Sequence, residues 1–67
     1  MRDVNRLDNF YNELKEIHKE LPDWRFGQLV MNFFGWFYEK YHRDAFYIED
    51  FQILIYFKKF IDEMKEK

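Results

Sequence analysis

A chain of 67 residues without a single cysteine must fold with no disulfide to help it. At that length one domain is expected, residues 1–67. A single small core contributes only about 3–5 kcal/mol unless metal, cross-links or self-association add to it. A structural zinc site would have to draw on His18, His42 and carboxylates, and structural zinc prefers four Cys or His donors. The two histidines match no local metal spacing, and no His-Glu-x-x-His motif is present. What the chain offers instead is nine Phe, five Tyr and two Trp. Folding is therefore expected to rest on aromatic burial, on self-association, or on both. The apolar fraction is too high and the net charge of −2 too small for a disordered chain.

The apolar residues recur with helical spacing. Leu7, Phe10, Tyr11, Leu14, Ile17, His18 and Leu21 follow the i, i+3, i+4, i+7 pattern, which predicts a helix over 5–21 with one wet face. Asp3 or Asn5 suits its N-cap, and Pro22 ends it. A second helix is expected over 24–42, with Asp23 as N-cap. At about 100° per residue, Phe26, Val30, Phe33, Phe34, Phe37 and Tyr41 share its core face. Leu29 and Trp36 widen that face on one side, and Met31 and Tyr38 on the other, leaving Arg25, Gln28, Asn32, Gly35 and Glu39 as a polar strip. A helix apolar over so much of its circumference is central or lies at an interface. After a connection over 42–48, a third helix is expected over 48–65. Glu49 and Asp50 fall in its first turn and Lys65 and Lys67 at its end, as the macrodipole favours. Ile53, Leu54, Phe57, Phe60, Ile61 and Met64 form its stripe, with Phe51 and Ile55 as a second ridge. Residues 51–57 read alone resemble a strand, but no hairpin turn flanks them, and the 57, 60, 61, 64 spacing decides for helix. The fold expected is all-α: a small three-helix domain with a central, aromatic-rich second helix.

Composition narrows the function. With no Ser, Thr or Cys, the hydroxyl and thiol nucleophiles of those residues are missing, as are Ser/Thr phosphorylation sites. The acidic pairs Glu49/Asp50 and Asp62/Glu63 are sequence neighbours that point in different directions on a helix. Helix-end electrostatics accounts for the first and a solvated face for the second. Gly27 and Gly35 follow no phosphate-loop pattern. Each costs about 1 kcal/mol of helix propensity relative to Ala, so a packing reason is expected for them. No enzyme, no metal and no cofactor is the expectation.

No apolar leader opens the chain, and the run over 29–38, broken by Asn32 and Gly35, is half the length a membrane span needs. A cytoplasmic protein without a membrane partner is expected. Residues 1–43 carry seven basic and seven acidic side chains, and residues 44–67 four and six, so no segment forms a basic arm. The aromatics suggest base stacking only beside a basic groove, which makes nucleic acid the secondary reading. Phe, Tyr, Ile, Lys and Asn supply 30 of the 67 residues, and their AT-rich codons point to a low-GC bacterial or phage genome.

The constellation singled out as a candidate partner contact is Arg25, Gln28 and Asn32, spaced i, i+3, i+7, with Trp36 beside them. Arginine, amide and aromatic is the composition of a protein-contact hot spot. The plainer alternative is intramolecular: Arg25 paired with Asp44, Glu49 or Asp50, and Gln28 bonded to the backbone of the 42–48 connection.

Three stretches carry a resemblance. They are Arg2, Arg6, Asp8, Phe10, Leu14 and Ile17; Pro22-Asp23-Trp24-Arg25-Phe26-Gly27-Gln28-Leu29; and Asp44-Ala45-Phe46-Tyr47-Ile48-Glu49-Asp50. In these the chain resembles a family of short, uncharacterised proteins of low-GC Gram-positive bacteria, their phages and conjugative elements, over about three quarters of its length. It departs from the family pattern at His18, where Trp is frequent, and at Ala45, where Pro is frequent. The resemblance implies a small helical domain from a mobile element and brings no catalytic residues. The function expected is a non-enzymatic interaction or accessory protein of a phage or mobile element, with self-association as one form of it. A small nucleic-acid-binding regulator is the alternative.

Overall fold

The helical spacing is realised in three α-helices. The computed structural model describes residues 3–66, and among these there is no strand. Arg2 and Lys67 lie outside the described residues. Helix α1 is Arg6–His18, α2 is Phe26–Tyr41 and α3 is Asp50–Lys65, with a short 3₁₀ turn, Ala45–Tyr47, before α3.

Local bonds set the ends of the helices, in places away from the expected positions. Asn5 holds the N-cap of α1, and the Asp3 carboxylate accepts from the Asn5 amide at 2.9 Å. α1 stops at His18, before Leu21. The amides of Glu20 and Leu21 bond the carbonyls three residues back, at 3.1 and 3.0 Å, so the chain tightens out of the α-helix before Pro22 is reached. The His18 ring, half-buried, donates from Nε2 to the Trp24 carbonyl at 2.7 Å and ties this turn back to α1. Asp23 is not the cap of α2. Arg25 takes that place, and Gln28 Oε1 accepts from its amide at 2.7 Å. His42 closes α2 in the left-handed region (φ 54°), its amide bonding the Tyr38 carbonyl at 2.8 Å. α3 starts at Asp50 and not at 48, because Ile48 is extended and buried in the core. Glu49 caps α3, with Gln52 Oε1 accepting from the Glu49 amide at 3.3 Å. Residues 51–57 are helical.

The core is aromatic. Leu29, Phe33 and Phe37 of α2 are fully buried, and Leu54, Phe57, Phe60 and Ile61 of α3 pack with them, joined by Ile17 of α1 and by Ile48. Phe33 and Phe57 stack face to face, with centroids 3.8 Å apart and planes 12° from parallel. Burying rings of this size supplies what cysteines cannot. α2 contributes the most deeply buried side chains, while α3 packs against both other helices.

The side-chain pairings give the topology. Arg6 at the start of α1 pairs with Asp50 at the start of α3, and Glu20 just past α1 pairs with Lys65 at the end of α3 (2.7 Å). α1 and α3 therefore run parallel. On α2, Trp36 and Lys40 reach Glu63, while Phe37 and Tyr41 meet Tyr56, seven residues earlier. Neighbouring residues on the same turns of α2 thus reach positions two turns apart on α3, so α2 lies across it. The domain measures 39 × 27 × 18 Å. Helices pack 8–10 Å apart, about two layers in 18 Å, and among the described residues only the 3₁₀ turn borders the outer side of α2.

That layering overturns two expectations. Phe26 and Phe34, assigned to the core face of α2, are exposed. The face that meets α3 is the sector around Leu29, Phe33 and Phe37, turned toward Trp36. The glycines also lack a packing reason within one copy: among the described residues, no group beyond the adjoining stretch of helix lies within 4 Å of where a Cβ would sit at Gly27 or Gly35.

Candidate functional site

Since α2 turns Leu29, Phe33 and Phe37 inward, the rest of its wide apolar arc is left in water. Gly27, Met31, Phe34 and Tyr38 lie on one ridge at i, i+4, i+7 and i+11. Met31 is 72% exposed, Phe34 42% and Tyr38 62%. The 3₁₀ turn extends the ridge. Asp44 Oδ1 accepts from the Phe46 amide at 2.9 Å and shapes this turn. Phe46 and Tyr47, each 81% exposed, set their rings edge to face with centroids 4.9 Å apart. A shallow groove of about 420 Å³, lined by Phe34, Tyr38, Arg43, Asp44, Ala45 and Phe46, joins turn and helix. No residue over 26–38 is charged, in a chain whose residues are 36% charged.

Three of the four residues singled out from the sequence share the polar side of α2 next to this ridge. Arg25, Gln28 and Asn32 are all exposed on the polar strip beside it. Trp36 separates from them. It is half-buried, stacks near Phe33 and Phe60, and donates from Nε1 to Glu63 Oε1 at 3.0 Å. Lys40 pairs with the same carboxylate and sits over the Trp36 ring, 5.2 Å from its centroid. Glu63 is thus a structural anchor rather than part of a solvated face, and its hydrogen bond raises the Lys40 pKa above the usual lysine value. The intramolecular partners expected for Arg25 and Gln28 are engaged differently. Asp50 pairs with Arg6, and Gln28 bonds the Arg25 amide of its own helix.

A second ion pair ties the end of α1 to the end of α3. Lys65 holds the Glu20 carboxyl below its ordinary pKa, and Glu20 in turn raises Lys65. Among the described residues, no cluster of three His or acidic side chains is placed to hold a metal, and no polar or charged side chain is buried. What the outer side of α2 can do physically is give up apolar surface to another molecule.

The residues missed by sequence reasoning are Met31, Phe34, Phe46 and Tyr47. The signal was present in the width of the apolar arc, which exceeds what one neighbouring helix covers. Spacing alone does not say which sector of that arc meets α3.

Fold and surface together define a small all-α three-helix domain with an exposed aromatic face. Comparison with models of known families, with curated proteins and with solved structures found no match. Among the described residues, no helix is long and apolar enough to cross a membrane.

Proposed function

We propose that this chain is a small non-enzymatic protein-interaction domain, an accessory protein of a phage or mobile element. Its contact is the ridge of Met31, Phe34 and Tyr38 with Phe46 and Tyr47, bordered by Arg25, Gln28 and Asn32. The observation that carries this reading is the size of the exposed patch. At about 200 Å² for a side chain of this kind, the exposed fractions of those five residues amount to about 700 Å². Contiguous apolar patches on monomers are rarely larger than a few hundred Å² unless they serve contact. The uncharged stretch over 26–38 supports an apolar protein partner over a phosphate backbone, which binds through Lys and Arg. The mobile-element setting rests on the resemblance in the Pro22–Leu29 and Asp44–Asp50 motifs.

The test is affinity capture from the native host with the wild-type chain and a Phe34→Asp variant in parallel, the fold of each checked by circular dichroism. A protein retained by the wild type and lost with Phe34→Asp is expected. Identical captured sets would refute the assignment of the face. Binding to mixed duplex DNA that weakens steeply as salt rises would replace it with a nucleic-acid-binding role.

A further inference from the structure

We infer that the occupant of the α2 ridge is a second copy of this chain, its α2 running antiparallel to the first about a twofold axis level with residues 32 and 33. The inference rests on reading the outer side of α2 as an interaction face, and it names the partner.

The ridge is symmetric about its own midpoint. Gly27, Met31, Phe34 and Tyr38 are spaced four, three and four residues apart, so an antiparallel copy sets Gly27 opposite Tyr38 and Met31 opposite Phe34. Each step puts unlike shapes together. The open space where Gly27 lacks a Cβ receives the Tyr38 ring, and a methionine sulfur meets an aromatic ring, a favourable contact. A parallel copy would set Tyr38 against Tyr38 and leave two glycines facing each other. A twofold pairing needs this kind of self-complementarity, because one patch must serve as both partners.

The surface area agrees with such a dimer. The chain exposes 5430 Å², whereas a folded monomer of 8.6 kDa exposes about 4,700 Å². The ridge and the 3₁₀ turn offer about 700 Å² per copy, close to the roughly 800 Å² per partner of a standard interface. The pairing also places a third helical layer over α2, where the 18 Å dimension of the single copy leaves none. Gly27, which has no packing reason within one copy, gains one between two.

The test is sedimentation equilibrium on the intact chain, followed by disulfide trapping. The wild type is expected at twice the 8.6 kDa chain mass at micromolar concentration. Met31→Asp, a change at an exposed position, is expected to keep the helical spectrum and weaken pairing by about 30-fold or more. The absence of native cysteine makes trapping unambiguous. An oxidised mixture of Gly27→Cys and Tyr38→Cys chains is expected to give the mixed dimer and neither homodimer. A wild-type monomer at high micromolar concentration overturns the inference, and a Tyr38→Cys homodimer overturns the antiparallel arrangement. If the wild type is monomeric while Phe34→Asp still loses a captured host protein, the interaction face stands and only self-pairing falls. If capture is unchanged as well, both fall.

Discussion

Gly35 occupies the middle of α2 with φ in the ordinary helical region and open space where a side chain would start. Replacing it with alanine should therefore stabilise the domain. Alanine restricts the unfolded chain and adds no clash, which is worth about 0.5–1 kcal/mol in a helix interior. Unfolding entropy is roughly 2.1 cal/mol/K per residue, or about 140 cal/mol/K for a chain of this length. The gain then corresponds to an increase in Tm of about 4–7 °C. Thermal unfolding followed by circular dichroism at 222 nm reads it directly, and urea titration supplies the check at room temperature. Gly35 lies toward the polar strip and outside the ridge, so the variant should leave self-association unaltered. Gly27→Ala makes the contrasting case. It sits in the first turn, where the propensity gain is smaller, and its Cβ would enter the space assigned to Tyr38 of a second copy. An unchanged or lowered Tm for Gly35→Ala would mean that the glycine meets something within a single copy, against the open space around it.

Three further outcomes follow from the packing and the charges. Phe33→Ala removes a fully buried ring stacked on Phe57. A loss of about 3–5 kcal/mol is comparable to the whole stability expected of a core this small, so circular dichroism should show a largely unfolded chain at room temperature. His42→Gly relieves a left-handed residue that glycine adopts without steric strain, and after the greater freedom of the unfolded glycine chain is subtracted it should raise stability by about 0.5 kcal/mol in urea titration. Because Glu20 has its pKa lowered by Lys65, the stability from this pair is fully present above the ordinary carboxylate range and is lost as pH falls through the lowered value. Lys65, raised by the same contact, loses its share only as pH rises past the ordinary lysine value. The urea midpoint of the wild type minus that of Glu20→Gln should therefore be flat near neutrality and shrink on acidification.

The three helices were legible because spacing and Pro22 leave little choice once disulfides and turn-flanked strands are absent. Their ends were less so, because local bonds combine there with contacts to the rest of the fold that spacing does not show. α1 gives way at His18, where the ring bonds the Trp24 carbonyl. α3 waits until Asp50, since Ile48 must be extended to enter the core. The rotation of α2 was the costlier miss. Its apolar arc is wide enough to fit several orientations, and only docking on Phe57 and Phe60 selects Leu29, Phe33 and Phe37 for burial. Of the contact expected at Arg25, Gln28, Asn32 and Trp36, three residues stand in solvent together and the fourth serves the core through Glu63.

Both tryptophans of the chain lean on one residue. The Trp24 ring meets Phe60 edge-on with centroids 6.1 Å apart, and the Trp36 ring lies 5.5 Å from the same phenylalanine. Intrinsic fluorescence in this protein is consequently a local gauge. It registers the moment the turn after α1 and the middle of α2 close around α3, and it is blind to the docking of the first turns of α1. Ellipticity follows all three helices. Any lag between the two signals on refolding would time the arrival of the Arg6 end of α1 at Asp50 against the assembly of the ring cluster.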